Sequence, residues 1–103
     1  MKEITVQEIK KRLDAGEKLH IIDVREPEEY TAYNIGATLL PLGKVMSMEI
    51  DAIDHLKNEE LLVHCRSGKR SLQACLFLET LGFTNVKNVE GGILAWQSME
   101  HLQ

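Results

Sequence analysis

Along the chain, strand-like apolar runs alternate with stretches in which apolar residues recur at helical spacing, and this alternation predicts an α/β domain. Val6, Ile9 and Leu13 sit at helical spacing behind the capping pattern Thr5-Val6-Gln7-Glu8, and Gly16 supplies a stop, so the first helix is expected over residues 6 to 15. Leu19-His20-Ile21-Ile22-Asp23-Val24 is rich in β-branched residues and nearly continuous in apolar character, as in a central strand covered on both faces. Proline and acids in Glu26-Pro27-Glu28-Glu29-Tyr30 suit the first turn of a short helix. Asn34-Ile35-Gly36-Ala37 reads as a turn, and residues 38 to 40 as a short strand ending at Pro41.

From about Lys44 to Leu56 the spacing of Val45, Met48, Ala52 and Leu56 is loosely helical. Leu61-Leu62-Val63-His64 is a second buried strand, followed at once by the loop Cys65-Arg66-Ser67-Gly68-Lys69-Arg70 and a helix expected over residues 71 to 81. In that helix apolar residues cover most of the circumference and leave Gln73 and Thr80 as one polar stripe, which places it between other elements. Gly82 closes it, Val86 to Val89 form a last strand, and Gly91-Gly92 lead into a final helix with Ile93, Leu94 and Trp96.

The 103 residues, 44% hydrophobic and 27% charged, have the size and composition of one globular domain, residues 1 to 103. A net charge of −4 with intermixed signs gives no general reason to bind nucleic acid or an anionic membrane, so any anion site is local. No apolar run approaches a membrane span, and Met1-Lys2-Glu3-Ile4-Thr5 lacks a signal-peptide pattern, so a cytoplasmic protein is expected. Cys65 and Cys75 do not suggest a disulfide framework, and with His20, His55, His64 and His101 they do not fall at zinc-ligand spacing. No metal is expected.

The chemistry concentrates in the loop. A cysteine beside a helix amino terminus and near cations has its thiolate stabilised, and Cys65 meets both conditions. Ser67 and Gly68 leave the backbone free to turn its N–H groups inward as an anion-binding nest, while Arg66, Lys69 and Arg70 add positive charge. Such a cup suits a persulfide or an oxyanion. Arg66 and Lys69 are expected at the entrance, facing the donor. Arg70 has two readings, toward the bound anion or inward to Asp23. Asp23 and Arg25 are expected to support a neighbouring loop through charge-assisted hydrogen bonds. Cys75, Trp96 and His64 read as core residues.

Three segments carry a family resemblance. Cys65-Arg66-Ser67-Gly68-Lys69-Arg70-Ser71 resembles the C-x-x-G-x-R-S loop of rhodanese domains, Asp23-Val24-Arg25-Glu26-Pro27-Glu28-Glu29-Tyr30 their D-V-R-x-x-x-E-[YF] segment, and Glu90-Gly91-Gly92-Ile93-Leu94-Ala95-Trp96 their E-G-G-[IM]-x-x-W segment. The three stand in the family's order. Where rhodanese domains usually carry G-H-I-P-G-A, this chain has the shorter Tyr33-Asn34-Ile35-Gly36-Ala37.

The resemblance implies a small α/β fold, with a mostly parallel central sheet flanked by helices on both faces. It also implies a sulfurtransferase in which Cys65 accepts sulfur from a small sulfur-containing anion such as thiosulfate. The persulfide then passes its sulfur to a thiol, a protein thiol or cyanide, with no cofactor. A non-turnover persulfide relay or protein-binding module is the alternative. Phosphatases of the Cdc25 type and arsenate reductases need C-x5-R around a tetrahedral oxyanion, whereas this loop is C-x4-R. Donor identity and oligomeric state are left open by the sequence.

Overall fold

A computed structural model describes residues 1–101 and contains five strands, all pairing in parallel, in the order β1-β5-β4-β2-β3. The chain runs β1 (Lys2–Ile4), α1 (Val6–Asp14), β2 (His20–Asp23), α2 (Pro27–Ala32), β3 (Thr38–Leu39), α3 (Leu42–Met46), a 3₁₀ turn (Asp54–Leu56), β4 (Glu60–His64), α4 (Lys69–Thr80), β5 (Asn85–Val89) and α5 (Gly92–His101). No described helix is long and apolar enough to cross a membrane.

The uninterrupted apolar run of β4 follows from its central place. Leu61 and Val63 point to one face, where they join Ile22, Val24, Ala74, Cys75, Leu78 and Val86 beneath α3 and α4. Leu62 points to the other and packs with Ile4, Ile9, Ile21, Val89, Trp96 and Met99 beneath α1 and α5. All three β4 residues are fully buried, each contributing on the order of 1.5–3 kcal/mol of apolar transfer free energy. Two cores thus fix the pitch of the strand that ends at Cys65.

Three elements depart from the sequence expectation. β1 lies at the sheet edge; with only Ile4 buried, three residues give too little pattern to read as a strand. The region from Lys44 to Leu56 is not one helix: α3 ends at Met46, Met48 has a φ of 60°, and the 3₁₀ turn follows separately. Helix α4 begins at Lys69, not residue 71, because Gly68 at φ 106° turns the chain directly into the first helical turn. The capping of α1 by Thr5, whose side chain accepts from Glu8 N–H at 3.1 Å, agrees with the pattern read there.

At the opposite end from Cys65, Glu60 accepts from Arg12 at 2.6 and 3.0 Å and from Lys87 at 2.6 Å, tying α1 to β4 and β5. The Arg12 hydrogen bonds, against partial desolvation and with help from Lys87, lower the Glu60 carboxyl from 4.5 to about 2. A carboxyl depressed by folding stabilises fully above its unfolded value and loses that stabilisation as pH falls toward its folded value. Glu60→Gln is expected to cost about 1–2 kcal/mol at neutral pH after solvent screening. The wild-type advantage should vanish as pH falls through the window from 4.5 to about 2, as read by urea unfolding at several pH values.

Candidate active site

All strands run the same way, so the turns after β2, β4 and β5 gather at one edge of the sheet, the place where open parallel sheets present their ligands. The turn after β4 carries Cys65, that after β2 carries Arg25, and that after β5 carries Gly91 and Gly92. The three motif segments therefore meet in space.

Cys65 is 1% exposed, with its sulfur at the base of the loop. Gly68 N–H donates to Cys65 Sγ at 3.1 Å and Ser71 N–H at 3.4 Å. Burial pushes the thiol up, but the Ser71 hydroxyl and the N–H groups of Ser71, Gly68 and Ser67 outweigh it, and the net displacement is below the ordinary cysteine value. The Ser71 hydroxyl also donates to Asn88 Oδ1, so its one proton has two acceptors within reach.

The direction of the loop's first two amides, the N–H groups of Arg66 and Ser67, has a cause in α5. Ile93 N–H donates to Cys65 O at 2.9 Å and Leu94 N–H to Arg66 O at 3.1 Å. In a trans peptide the N–H points opposite to its carbonyl, so drawing these two carbonyls toward α5 turns the following amides toward the loop interior. The approach is close enough that Gly92, at φ 54°, has no room for a side chain: a Cβ there would lie 2.4 Å from Cys65 O and 2.7 Å from Arg66 O.

The three loop cations separate. Arg70 turns to Glu29, with Nη1 to Oε1 at 2.7 Å and Nη2 to Oε2 at 3.0 Å. Glu29 also accepts from Glu26 N–H as the capping-box residue of α2, and its carboxyl is lowered to about 2, first by Arg70. Of the two readings for Arg70, the inward one holds in direction, but its carboxylate is Glu29 and not Asp23. Arg66 and Lys69 are exposed and, among the described residues, face no carboxylate. Beside Arg66 lies a depression of about 280 Å³ between α2 and α5, lined in part by Tyr33, Leu94 and Gln97.

Asp23 and Arg25 form a buried pair behind the loop. Asp23 Oδ1 accepts from Arg25 N–H and Nε at 3.0 Å, and Oδ2 accepts from Nη2 at 2.8 Å. Arg25 also donates to Tyr33 O at 2.7 Å, pinning the shortened turn. Neither side chain is directed to the sulfur by these bonds. His64, opposite Asp23 in the β2–β4 register, has Nε2 at 3.6 Å from Asp23 Oδ2 and no hydrogen-bond partner for that nitrogen; burial lowers its pKa. Cys75 lies on the buried face of α4, where burial pushes its thiol up to about 12. No cluster of three metal-ligating side chains occurs among the described residues.

Three contributors were absent from the sequence-based site: Ser71, Glu29 and Asn88. Ser71 and Glu29 lie within the motif segments already read, while Asn88 shares the strand face of buried Val86, a position where a polar residue signals a specific bond.

A family model for the rhodanese-like domain matches residues 5–99. YtwF of Bacillus subtilis is 39% identical over 98 residues, covering 94% of this chain and 91% of that protein. A sulfurtransferase of Allochromatium vinosum is 33% identical over 97 residues, covering 91% of this chain and 86% of its own. The crystal structure of a rhodanese-like domain protein from Staphylococcus aureus superposes with a TM-score of 0.82 at 35% identity, covering 93% of this chain and 91% of that one.

Proposed function

The chain belongs to the rhodanese-like domain family, which includes sulfurtransferases, and on that footing we propose that it moves sulfane sulfur through a persulfide on Cys65. The observation that carries this reading is the cup of N–H donors around a buried cysteine sulfur, with Gly68 and Ser71 aimed at Sγ.

In the first half-reaction the Cys65 thiolate attacks the outer sulfur of thiosulfate. A bond forms between the two sulfurs, the bond to the sulfonate sulfur breaks, and its electron pair departs with sulfite. Arg66 and Lys69 at the rim attract the dianionic donor. In the second, an acceptor thiolate attacks the terminal sulfur, and Cys65 leaves as the thiolate that the loop already favours. The N–H groups that stabilise the thiolate also stabilise the persulfide anion, so no reorganisation is needed between steps. No step calls for a cofactor. The depression beside Arg66 is the proposed approach for the acceptor.

A phosphatase reading finds less support. With both terminal nitrogens of Arg70 on Glu29, the arginine at the end of the loop is not free to grip a tetrahedral oxyanion. A persulfide relay, loading sulfur without turning over small donors, uses the same cup and differs only in the second half-reaction.

Intact-mass measurement after incubation with thiosulfate tests the proposal. The expected result is the gain of one sulfur atom, removed by cyanide or by a thiol. Failure to load from both thiosulfate and glutathione persulfide overturns it. Stable loading with no multiple turnover selects the relay, and Cys65-dependent hydrolysis of an aryl phosphate selects the phosphatase.

A further inference from the structure

Asn88 is a buried polar residue in β5 with no part in the chemistry above. It is 4% exposed and lies opposite Val63 in the β4–β5 register, two residues before Cys65. Its Nδ2 donates to Gly68 O at 3.2 Å, and its Oδ1 accepts from the Ser71 hydroxyl. Gly68 and Ser71 are the same two residues whose N–H groups lie 3.1 and 3.4 Å from Cys65 Sγ. One carboxamide therefore grips, from behind, two of the residues that donate to the sulfur.

The chemistry of the side chain matches the task. Gly68 O needs a donor and the Ser71 hydroxyl needs an acceptor; a carboxamide supplies one of each, while a carboxylate supplies only acceptors and an aliphatic residue neither. Burying an amide in a strand that could hold valine is unfavourable unless both its ends are bonded, and here both bonds go to the loop. Gly68 O also accepts from Leu72 N–H at 3.1 Å, so the Asn88 contact falls on the peptide that starts α4. A shift there moves the whole N–H array.

We propose that Asn88 is a positioning residue for Cys65, holding Gly68 and Ser71 so that their N–H groups converge on the sulfur. It rests on the reading of Cys65 as the sulfur-carrying thiolate and acts wholly through the loop. Loosening the clamp lets the two donors drift from the sulfur and weakens their preference for its anion over the thiol.

The test is the titration of Cys65 in the full chain, followed by thiolate absorbance and by alkylation rate against pH. In Asn88→Ala the thiol is expected to titrate about one unit higher, leaving roughly tenfold less thiolate at pH values below the transition. Ser71→Ala should shift it in the same direction. The double variant should shift it by less than the sum of the two, because Asn88 acts partly through Ser71.

A role confined to stability would lower the denaturation midpoint and leave the titration of the folded protein unmoved. An unshifted titration in folded Asn88→Ala, or full additivity in the double variant, overturns the proposal. If Asn88→Ala does not fold, Asn88→Ser, too short to reach both partners, carries the same expectation and the same refutation. A wild-type protein that loads sulfur beside an Asn88 variant with unchanged titration defeats this inference alone. A wild type that loads from no donor defeats the sulfur-carrier reading.

Discussion

Cys65→Ser is expected to abolish sulfur transfer, lowering sulfite release from thiosulfate by at least about a thousandfold. The substitution exchanges sulfur for oxygen at a buried atom and keeps the two N–H donors, Gly68 and Ser71, in place. Its cost in stability should stay within about 1 kcal/mol, so the loss of rate isolates the chemistry. A hydroxyl ionises far above the range of a thiol, and the cup that suffices to favour a thiolate cannot bring it to neutral pH. The only other thiol, Cys75, is buried and held up at about 12, and cannot substitute. Residual activity above about one per cent of wild type would place the nucleophile elsewhere. So would an intact-mass sulfur adduct that persists in the variant.

That Cys65 was legible from sequence while its supports were not has a physical cause. A nucleophile in a loop shows itself locally, through its neighbours: Cys65 stands beside Arg66, Ser67, Gly68 and Lys69 between a strand and a helix. The supports act through pairs that are distant along the chain. Arg70 and Glu29 are 41 residues apart, and Ser71 and Asn88 are 17 apart. Each half of such a pair, read alone, does not name its partner. Asp23, a carboxylate at the end of an apolar strand, points to a charge-assisted support, and its partner is Arg25, two residues away, not Arg70.

The fold follows the same division. β4 and α4 are long enough, and buried on enough sides, for their apolar pattern to specify them. β1, at three residues, owes its existence to the strand it pairs with, Lys87 to Val89, whereas β3, at two residues, falls within the strand expected over residues 38 to 40, where Pro41 marks its end. α4 starts two residues before the position the sequence predicts, because Lys69 and Arg70 have the character of loop cations. In the structure they form its first turn, with Arg70 held by Glu29. The ion pair offsets the unfavourable placement of cations at a helix amino terminus.

Asp23→Ala should produce the largest loss of stability of any single side-chain truncation behind the loop, about 3–5 kcal/mol. Asp23 is fully buried, and Arg25 is 4% exposed, so removing the carboxylate leaves a guanidinium in the interior with only the carbonyls of Tyr33 and Glu29 as acceptors. Domains of this kind are stable by about 5–15 kcal/mol in all, so the variant should unfold at markedly lower urea. The attraction within the pair is not the source of the effect; the stranded charge is. Replacing both partners, as in Asp23→Ala with Arg25→Leu, should therefore recover part of the loss, and a double variant less stable than Asp23→Ala would refute this account. The consequence reaches the sulfur because Asp23 pairs in register with His64, the residue before Cys65. Loosening the end of β2 loosens the strand end that presents the nucleophile, and sulfur loading should fall along with stability.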